Sequence, residues 1–400
     1  MPFQETLNGT AAFQFADNIR RMKRHIKECA GDKRQREDLE LKLIEHDLLC
    51  MYEGDGGGLA SEDSKAEMVL LEGRRNTLLL AKEETWRLKS RAIWLESGDD
   101  NTKFFHVFVK GRKSANTIWS LRDDEGIEHS SIEDKARCAV AHFENLFKAP
   151  NHASIVEVIR LAQLFPRFVD NEGNRHLMRE ASVEELKEVL QSFQKDKSQG
   201  PDGWMIEFFL DLFEILGEDL LKVVEDTRSS SRIPASFNST FLALIPKSDC
   251  PLLLNDYRPI SLCNCIYKIV SKVISKHLNF ILSEHISEEQ FGFLEGRQIH
   301  EAIGVAQEGL HSLKTWNMKG AVLKIDLSKA YDKVSWIYLR LLLTHLGFGF
   351  EFIRWVMSCI TTVSFAVLIN GATSSFFHAG RGLRQGCPYP RRSFYWWLKV

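Results

Sequence analysis

Hydrophobic residues recur at helical spacing through the first third of the chain. Between residues 15 and 52, Ile, Leu and Met lie three or four positions apart among charges of both signs, which predicts a long helix. The stretch EGDGGGLASED (53–63) interrupts this pattern, and a second helical pattern runs from 64 to about 93. Residues 94–126 then favour short strands and loops. We therefore predict a mostly helical region up to about residue 175.

The second half of the chain mixes strand and helix patterns. FLALIPK (241–247) is strand-like and stops at Pro246, which cannot donate to a sheet ladder. CIYKIVSKVISKHLNFIL (265–282) repeats its apolar residues at helical spacing. VSFAVLINGATSSFF (363–377) predicts a hairpin, because Asn-Gly is a favoured two-residue turn. The expected fold class is α+β.

One segment, GAVLKIDLSKAYDKVSW (320–336), ends an apolar run on a carboxylate, Asp326, and places a second, Asp332, six positions later. A solvated strand end followed by a helix N-cap would explain this pattern. A metal-binding carboxylate at the tip of a central strand is the alternative. We predict that GAVLKID is a strand buried on both faces and that a helix closed by Gly347 follows it directly.

Composition narrows the class of protein. The chain has 400 residues, 44% of them hydrophobic, which suggests two or three domains. Its net charge of −2 gives no global sign of nucleic-acid binding, so any such surface must be local. The cysteines are scattered, and we interpret them as reduced thiols of an intracellular protein. The N-terminus has no apolar signal core, so we do not expect secretion.

Seven short motifs stand in the order and approximate spacing of one protein family. They are GDDNTKFFH, GPDG, LIPK, YRPISL, QFGFLEGR, KIDLSKAYDKV and GLRQGCP, and they span about 94 to 388. On these motifs the chain resembles the reverse transcriptases of LINE-type non-LTR retrotransposons, most closely those of plants. Any one motif is a weak signal, whereas seven in register are very specific.

The resemblance implies a right-hand polymerase, with incomplete fingers and palm over residues 176–400 and a core from about 230. Residues 1–175 would be the helical connector between a missing endonuclease and the polymerase. The implied activity is that of an RNA-directed DNA polymerase. A non-catalytic nucleic-acid-binding remnant, or a pseudogene product, is the alternative.

The resemblance also implies a metal site. In the family, two Mg²⁺ ions activate the primer 3′-hydroxyl and hold the incoming triphosphate. Asp326 would be the catalytic carboxylate that binds metal, and the backbone carbonyl of Leu327 would add a ligand. Asp332 is interpreted as structural, on the following helix and outside the metal site.

Nucleotide-binding residues follow from the same motifs. Lys247 and Arg258 would grip the triphosphate, Lys as a point charge and Arg as a planar fork, although each taken alone is typical of a surface charge. Tyr331 would be the steric gate that excludes a ribose 2′-hydroxyl and favours dNTPs. Gln385 and Gly386 would pack against the sugar and the template base.

The implied partners are an RNA template, a DNA primer and dNTPs. No membrane or protein partner is indicated, and the implied location is the nucleus or the cytoplasm.

The sequence departs from the family at three points. No Tyr-x-Asp-Asp sequence follows the GLRQG loop before Val400, so the metal site is incomplete and we expect no activity. The first 93 residues lack an endonuclease pattern. The tail YPRRSFYWWLKV (389–400), read from one base earlier in the Pro388 codon, can encode a string that restores PLSP. We interpret it as a frame-shifted tail, and the chain as truncated at both ends.

Overall fold

The computed structural model describes residues 10–54, 62–90, 102–148, 154–285, 298–325 and 327–386. The chain divides into two compact units, one of residues 17–117 and one of residues 1–16 with 118–400. Each unit is described by itself. Because helices and a mixed sheet occur together along the chain, the fold is α+β, as predicted.

The smaller unit is helical. Helix α1 (Ala11–Gly54) and helix α2 (Glu62–Ser90) lie on either side of the predicted glycine-rich break. They pack as an antiparallel pair around a small apolar cluster of Leu41, Ile44, Leu48 and Leu78. Exposed ion pairs flank this cluster, with Arg74 and Glu40 joined at 2.6 Å.

Helix α3 (Thr102–Ala115) corrects one sequence prediction. Short strands and loops were expected over this stretch. The apolar residues of KFFHVFV (103–109) are too dense to separate a period of two from a period of 3.6, and the backbone is helical.

The larger unit contains the remaining elements. Its described helices are α4 (Ile132–Lys148), α5 (Ile155–Ala162), α6 (Asn171–Leu177), α7 (Val183–Gln191), α8 (Ile206–Asp211), α9 (Phe213–Ser230), α10 (Cys265–His285), α11 (Ile299–Thr315), α12 (Trp336–Leu346) and α13 (Phe350–Thr361). Its described strands are β1 (Leu121–Arg122), β2 (Glu128–His129), β3 (Ser239–Pro246), β4 (Tyr257–Cys263), β5 (Ser364–Ile369), β6 (Ala372–Thr373) and β7 (Phe377–His378). Short 3-10 turns occupy Leu254–Asp256 and Tyr331–Lys333.

Strand β3 is central to the main sheet. It pairs antiparallel with β4 on one side and parallel with β5 on the other, and β5 also pairs with β6 and β7. The predicted β5–β6 hairpin is confirmed: Asn370 and Gly371 have φ of 53° and 88°, as a type I′ turn requires. The predicted strand ending at Pro246 and the predicted helix over 265–282 are likewise present as β3 and α10.

One face of this sheet is covered by α4. Phe147 of α4 stacks on Phe365 of β5, with ring centroids 5.0 Å apart, and Phe143 lies behind it. Leu242 and Val367 complete the same buried cluster. This core fixes β3 and β5, and therefore the strand ends that lead to the site.

The predicted buried strand over residues 320–326 is wrong for the residues that the structure describes. Residues 321–325 form no strand, and Val322, Leu323 and Ile325 are 71%, 83% and 72% exposed. A strand needs a neighbour for its backbone hydrogen bonds, and no described strand pairs with this segment. Asp326 itself lies outside the described residues.

The helix after this segment also begins later than predicted. Lys329 has a left-handed φ of 53°, which no helix interior accepts, and a 3-10 turn follows it. Helix α12 begins only at Trp336, where the Ser335 hydroxyl accepts from the Tyr338 N–H. It ends at Gly347 with a φ of 98°, as predicted. No helix in the described part of the chain is long and apolar enough to cross a bilayer.

Candidate nucleotide-binding site

The β3–β4 ribbon presents two cationic side chains on one face. Ile245 of β3 is registered opposite Arg258 of β4, so these two side chains share a face. Lys247 lies two residues after Ile245, and its N–H donates to the Asp256 carbonyl at 2.8 Å, which continues the antiparallel pairing. By the two-residue period, Lys247 lies on that same face. Lys247 and Arg258 are both exposed, as a phosphate-binding pair would need to be.

The loop of residues 380–386 is held between β4 and the turn that contains Tyr331. The Leu383 N–H donates to the Tyr331 carbonyl at 2.7 Å, and the Ser261 N–H of β4 donates to the Gln385 carbonyl at 3.0 Å. Gln385 and Gly386 are therefore brought beside β4, and the same loop contacts Tyr331. The structure thus brings residues of three motifs together around one loop.

Glycine is required at one position in this loop. Gly382 has a φ of 88°, and a Cβ there would lie 2.7 Å from the Asp332 carbonyl oxygen. Its N–H donates to the Val334 carbonyl at 2.8 Å, and its carbonyl accepts from the Trp336 indole at 2.8 Å. These contacts hold the loop closely against residues 332–336.

Arg384 anchors the loop, and sequence analysis missed it. Its side chain is 5% exposed and donates to the Thr240 hydroxyl at 3.1 Å and to the Cys359 carbonyl at 2.6 Å. Its guanidinium also lies 3.5 Å from the centre of the Tyr267 ring. An arginine among glycines resembles a surface charge, and only its three distant partners show that it is structural.

Tyr331 and Leu327 lie on the turn that precedes α12. Tyr331 is partly exposed, and its main-chain carbonyl binds the loop. Leu327 is 46% exposed. The predicted catalytic residue Asp326 falls outside the described residues, so its position relative to Lys247 and Arg258 stays a prediction.

Asp332 is the buried carboxylate of this region. It is 8% exposed, and burial raises its pKa to about 6, while Lys329, Lys247, Arg381 and Lys333 act in the opposite direction. It lies in the 3-10 turn and not on the helix where we predicted it. Its carboxyl is therefore enclosed by protein and surrounded by cations.

The predicted donors are of the type that binds Mg²⁺, but there are too few of them for two ions. The Asp326 carboxylate and the Leu327 carbonyl are hard oxygen ligands of the type that Mg²⁺ prefers. Among the described residues, no group of three His, Cys, Asp or Glu side chains could hold a metal ion. Two ions in near-octahedral sites need more carboxylates than these two predicted donors supply.

Strand β4, the Tyr331 turn and the 380–386 loop lie in a segment that matches a known family. Residues 245–389 match the family model described as reverse transcriptase (RNA-dependent DNA polymerase), and all the predicted site residues fall within that match. Over 355 residues the chain is 30% identical to the Transposon TX1 uncharacterized 149 kDa protein of Xenopus laevis. That alignment covers 87% of this chain and 26% of the relative, so the chain spans about a quarter of the relative's length. One segment of this chain is therefore similar to reverse transcriptases, and most of the chain is similar to a transposon protein.

Proposed function

We propose that this chain is the nucleotide- and template-binding part of an RNA-directed DNA polymerase from a non-LTR retrotransposon of the LINE type. One observation carries the proposal. The segment that matches reverse transcriptases, residues 245–389, contains β4, the Tyr331 turn and the 380–386 loop, and hydrogen bonds join these three parts. We propose a plant element because the motifs most resemble those of plant elements.

Each predicted residue has a defined task in nucleotide binding. Lys247 and Arg258, exposed on one face of the ribbon, would neutralise the triphosphate of an incoming dNTP. Tyr331 would exclude the ribose 2′-hydroxyl, and Gln385 and Gly386 would contact the sugar and the template base. This assignment depends on the resemblance and on the contacts that bring these segments together.

Catalysis is a separate matter from binding. Mg²⁺, when bound in this family, lowers the barrier to attack by the primer 3′-hydroxyl. Within residues 1–400 the motifs supply Asp326 and the Leu327 carbonyl as metal ligands. We therefore propose that residues 1–400, taken by themselves, bind primer, template and dNTP without extending the primer.

The organisation that we propose is the one expected from the sequence. Residues 1–175 form the helical connector, residues 176–400 form the fingers and partial palm, and 389–400 are a frame-shifted tail. The proposed location is intracellular, in the nucleus or the cytoplasm. The proposed partners are an RNA template and a DNA primer.

This function can be tested by measuring how fast a labelled DNA primer, annealed to an RNA template, dissociates from the purified chain. In Mg²⁺ buffer, the dNTP complementary to the next template base should slow dissociation from the purified chain, whereas a non-complementary dNTP should not. No primer extension should appear with Mg²⁺ or Mn²⁺. Extension that Asp326→Ala abolishes would show that the chain supplies a further metal ligand.

The same experiment separates the alternative function. A remnant that only binds nucleic acid would retain the primer–template equally well with either dNTP, because it has no nucleotide pocket to complete. Such a result would reject the polymerase assignment and leave a salt-dependent nucleic-acid-binding protein.

A further inference from the structure

Asn255 holds two lysines that are far apart in the sequence. Its backbone carbonyl accepts from the Lys247 ammonium at 2.6 Å, and its side-chain carbonyl accepts from the Lys329 ammonium at 2.6 Å. Lys247 follows β3, and Lys329 lies in the turn before Tyr331. A single neutral residue therefore joins the ribbon to that turn.

The two lysines belong to a local excess of positive charge. The Asp332 carboxyl is acted on by four cations, Lys329, Lys247, Arg381 and Lys333, and Asp124 is a second carboxylate that acts on Lys329. In the described part of the chain, this group thus contains four cations and two carboxylates.

Such an arrangement costs stability unless an anion completes it. Lys329 also has a left-handed φ of 53°, which is unfavourable for a lysine. Its hydrogen bond to Asn255 offsets part of this cost and holds the ammonium on the residue that also binds the Lys247 ammonium. A polyphosphate has closely spaced negative oxygens that could bind both ammonium groups together.

We propose that Asn255 is a positioning residue that holds Lys247 and Lys329 as a paired clamp for the triphosphate of an incoming nucleotide. This inference rests on the proposed function and extends it, because it adds Lys329 as a phosphate-binding residue and Asn255 as the residue that places it. Lys247 is held by the main chain of Asn255, so the Asn255 side chain acts on Lys329 alone.

Inorganic tripolyphosphate is the probe for this clamp, titrated calorimetrically into the full chain without divalent metal. Lys329→Gln removes the charge at nearly constant length and should weaken binding about tenfold. Lys329→Arg keeps the charge and should remain within about twofold of the unchanged chain. Lys314→Gln, which neutralises an exposed lysine near the end of α11, is the matched control and should bind normally.

Asn255→Ala tests positioning separately from charge. It should weaken binding about threefold to tenfold, because Lys329 is no longer held on the residue that also binds the Lys247 ammonium. Combined with Lys329→Gln it should cost nothing further, since Asn255 acts through Lys329. The salt dependence of the Kd should become shallower in Lys329→Gln, which a purely structural effect on folding would not cause.

Two results would overturn the clamp. One is unchanged tripolyphosphate binding in Lys329→Gln while primer–template and complementary dNTP still bind, which would leave the proposed function in place. The other is no binding to the unchanged chain at concentrations up to about 1 mM. Conversely, Lys329-dependent tripolyphosphate binding without any primer–template binding would reject the polymerase assignment and retain the anion clamp.

Discussion

The guanidinium of Arg384 lies 3.5 Å from the centre of the buried Tyr267 ring. This contact joins the 380–386 loop to α10, and hydrogen bonds to Thr240 and Cys359 tie the same side chain to β3 and α13. A buried cation held by a ring and two oxygens is well placed to position the loop that contacts Tyr331.

Arg384→Met should therefore destabilise the larger unit. The substitution keeps apolar bulk but removes both hydrogen bonds and the contact with the ring, so we expect a loss of about 2–4 kcal/mol. Urea unfolding followed by far-ultraviolet circular dichroism measures it. Arg340→Met, at an exposed position on α12, is the control and should change stability by less than about 0.5 kcal/mol.

The raised pKa of Asp332 predicts how the stability of the chain depends on pH. Its pKa is about 6 in the folded chain against a usual 3.8, because it is buried. The folded state therefore binds this proton more tightly than the unfolded state. The contribution of Asp332 to stability falls as the pH rises from about 4 to about 6 and is constant above that range.

Asp332→Asn removes the buried charge at constant shape. It should stabilise the chain at pH 7 by about 1–3 kcal/mol and leave its stability unchanged at pH 4. Asp123→Asn is the control of opposite sign, since hydrogen bonds from His129 and from backbone N–H groups lower the pKa of Asp123. Equal effects of Asp332→Asn at pH 4 and pH 7 would contradict the assigned titration.

Local signals explain which elements could be predicted from the sequence. Pro246 ended β3 where expected, and Asn370-Gly371 formed the expected turn, because each of these signals acts within a few residues. The segment 320–326 failed as a buried strand because pairing and burial depend on a distant neighbour. An apolar run alone cannot supply that neighbour.

The candidate site was predictable only in part for the same reason. Lys247, Arg258 and Tyr331 could be proposed from the sequence because they stand in recognisable motifs. Asn255 and Arg384 carry no local signal, since their roles arise from contacts with residues that are tens to more than a hundred positions away. Lys329 has a left-handed φ, which prevents α12 from starting before this residue. The sequence does not indicate this φ, because Lys329 stands in a run of helix-forming residues.

Alanine substitutions at two glycines with the same φ can distinguish the cost of backbone strain from the cost of a steric clash. Gly382 and Gly371 both have a φ of 88°, but a Cβ at Gly371 would meet nothing within 4 Å, whereas one at Gly382 would lie 2.7 Å from a carbonyl oxygen. Gly371→Ala should cost about 1–2 kcal/mol from conformation alone. Gly382→Ala should cost at least about 2 kcal/mol more, since the loop must shift away from Asp332.

Thermal and urea unfolding of the two alanine variants measure this difference directly. Equal losses in the two variants would mean that the loop moves freely from residues 332–336, and the close contact of Gly382 would then have no role in placing Gln385.

Sugar selection tests the role assigned to Tyr331. Since the Leu383 N–H donates to the Tyr331 carbonyl, Tyr331→Ala removes the proposed gate while it keeps this main-chain hydrogen bond. In the primer–template dissociation assay, the unchanged chain should respond to a complementary dNTP and not to the matching ribonucleotide. Tyr331→Ala should respond to both, because the space for a 2′-hydroxyl is open.

Tyr331→Phe is the matched control, because it keeps the ring and loses only the hydroxyl. It should discriminate between the two sugars as the unchanged chain does, within about twofold. If Tyr331→Ala still excluded the ribonucleotide while binding the complementary dNTP, the ring would not be the gate. The sugar would then be sensed elsewhere, and the backbone of the 380–386 loop, held to the Tyr331 carbonyl by Leu383, would be the next segment to test.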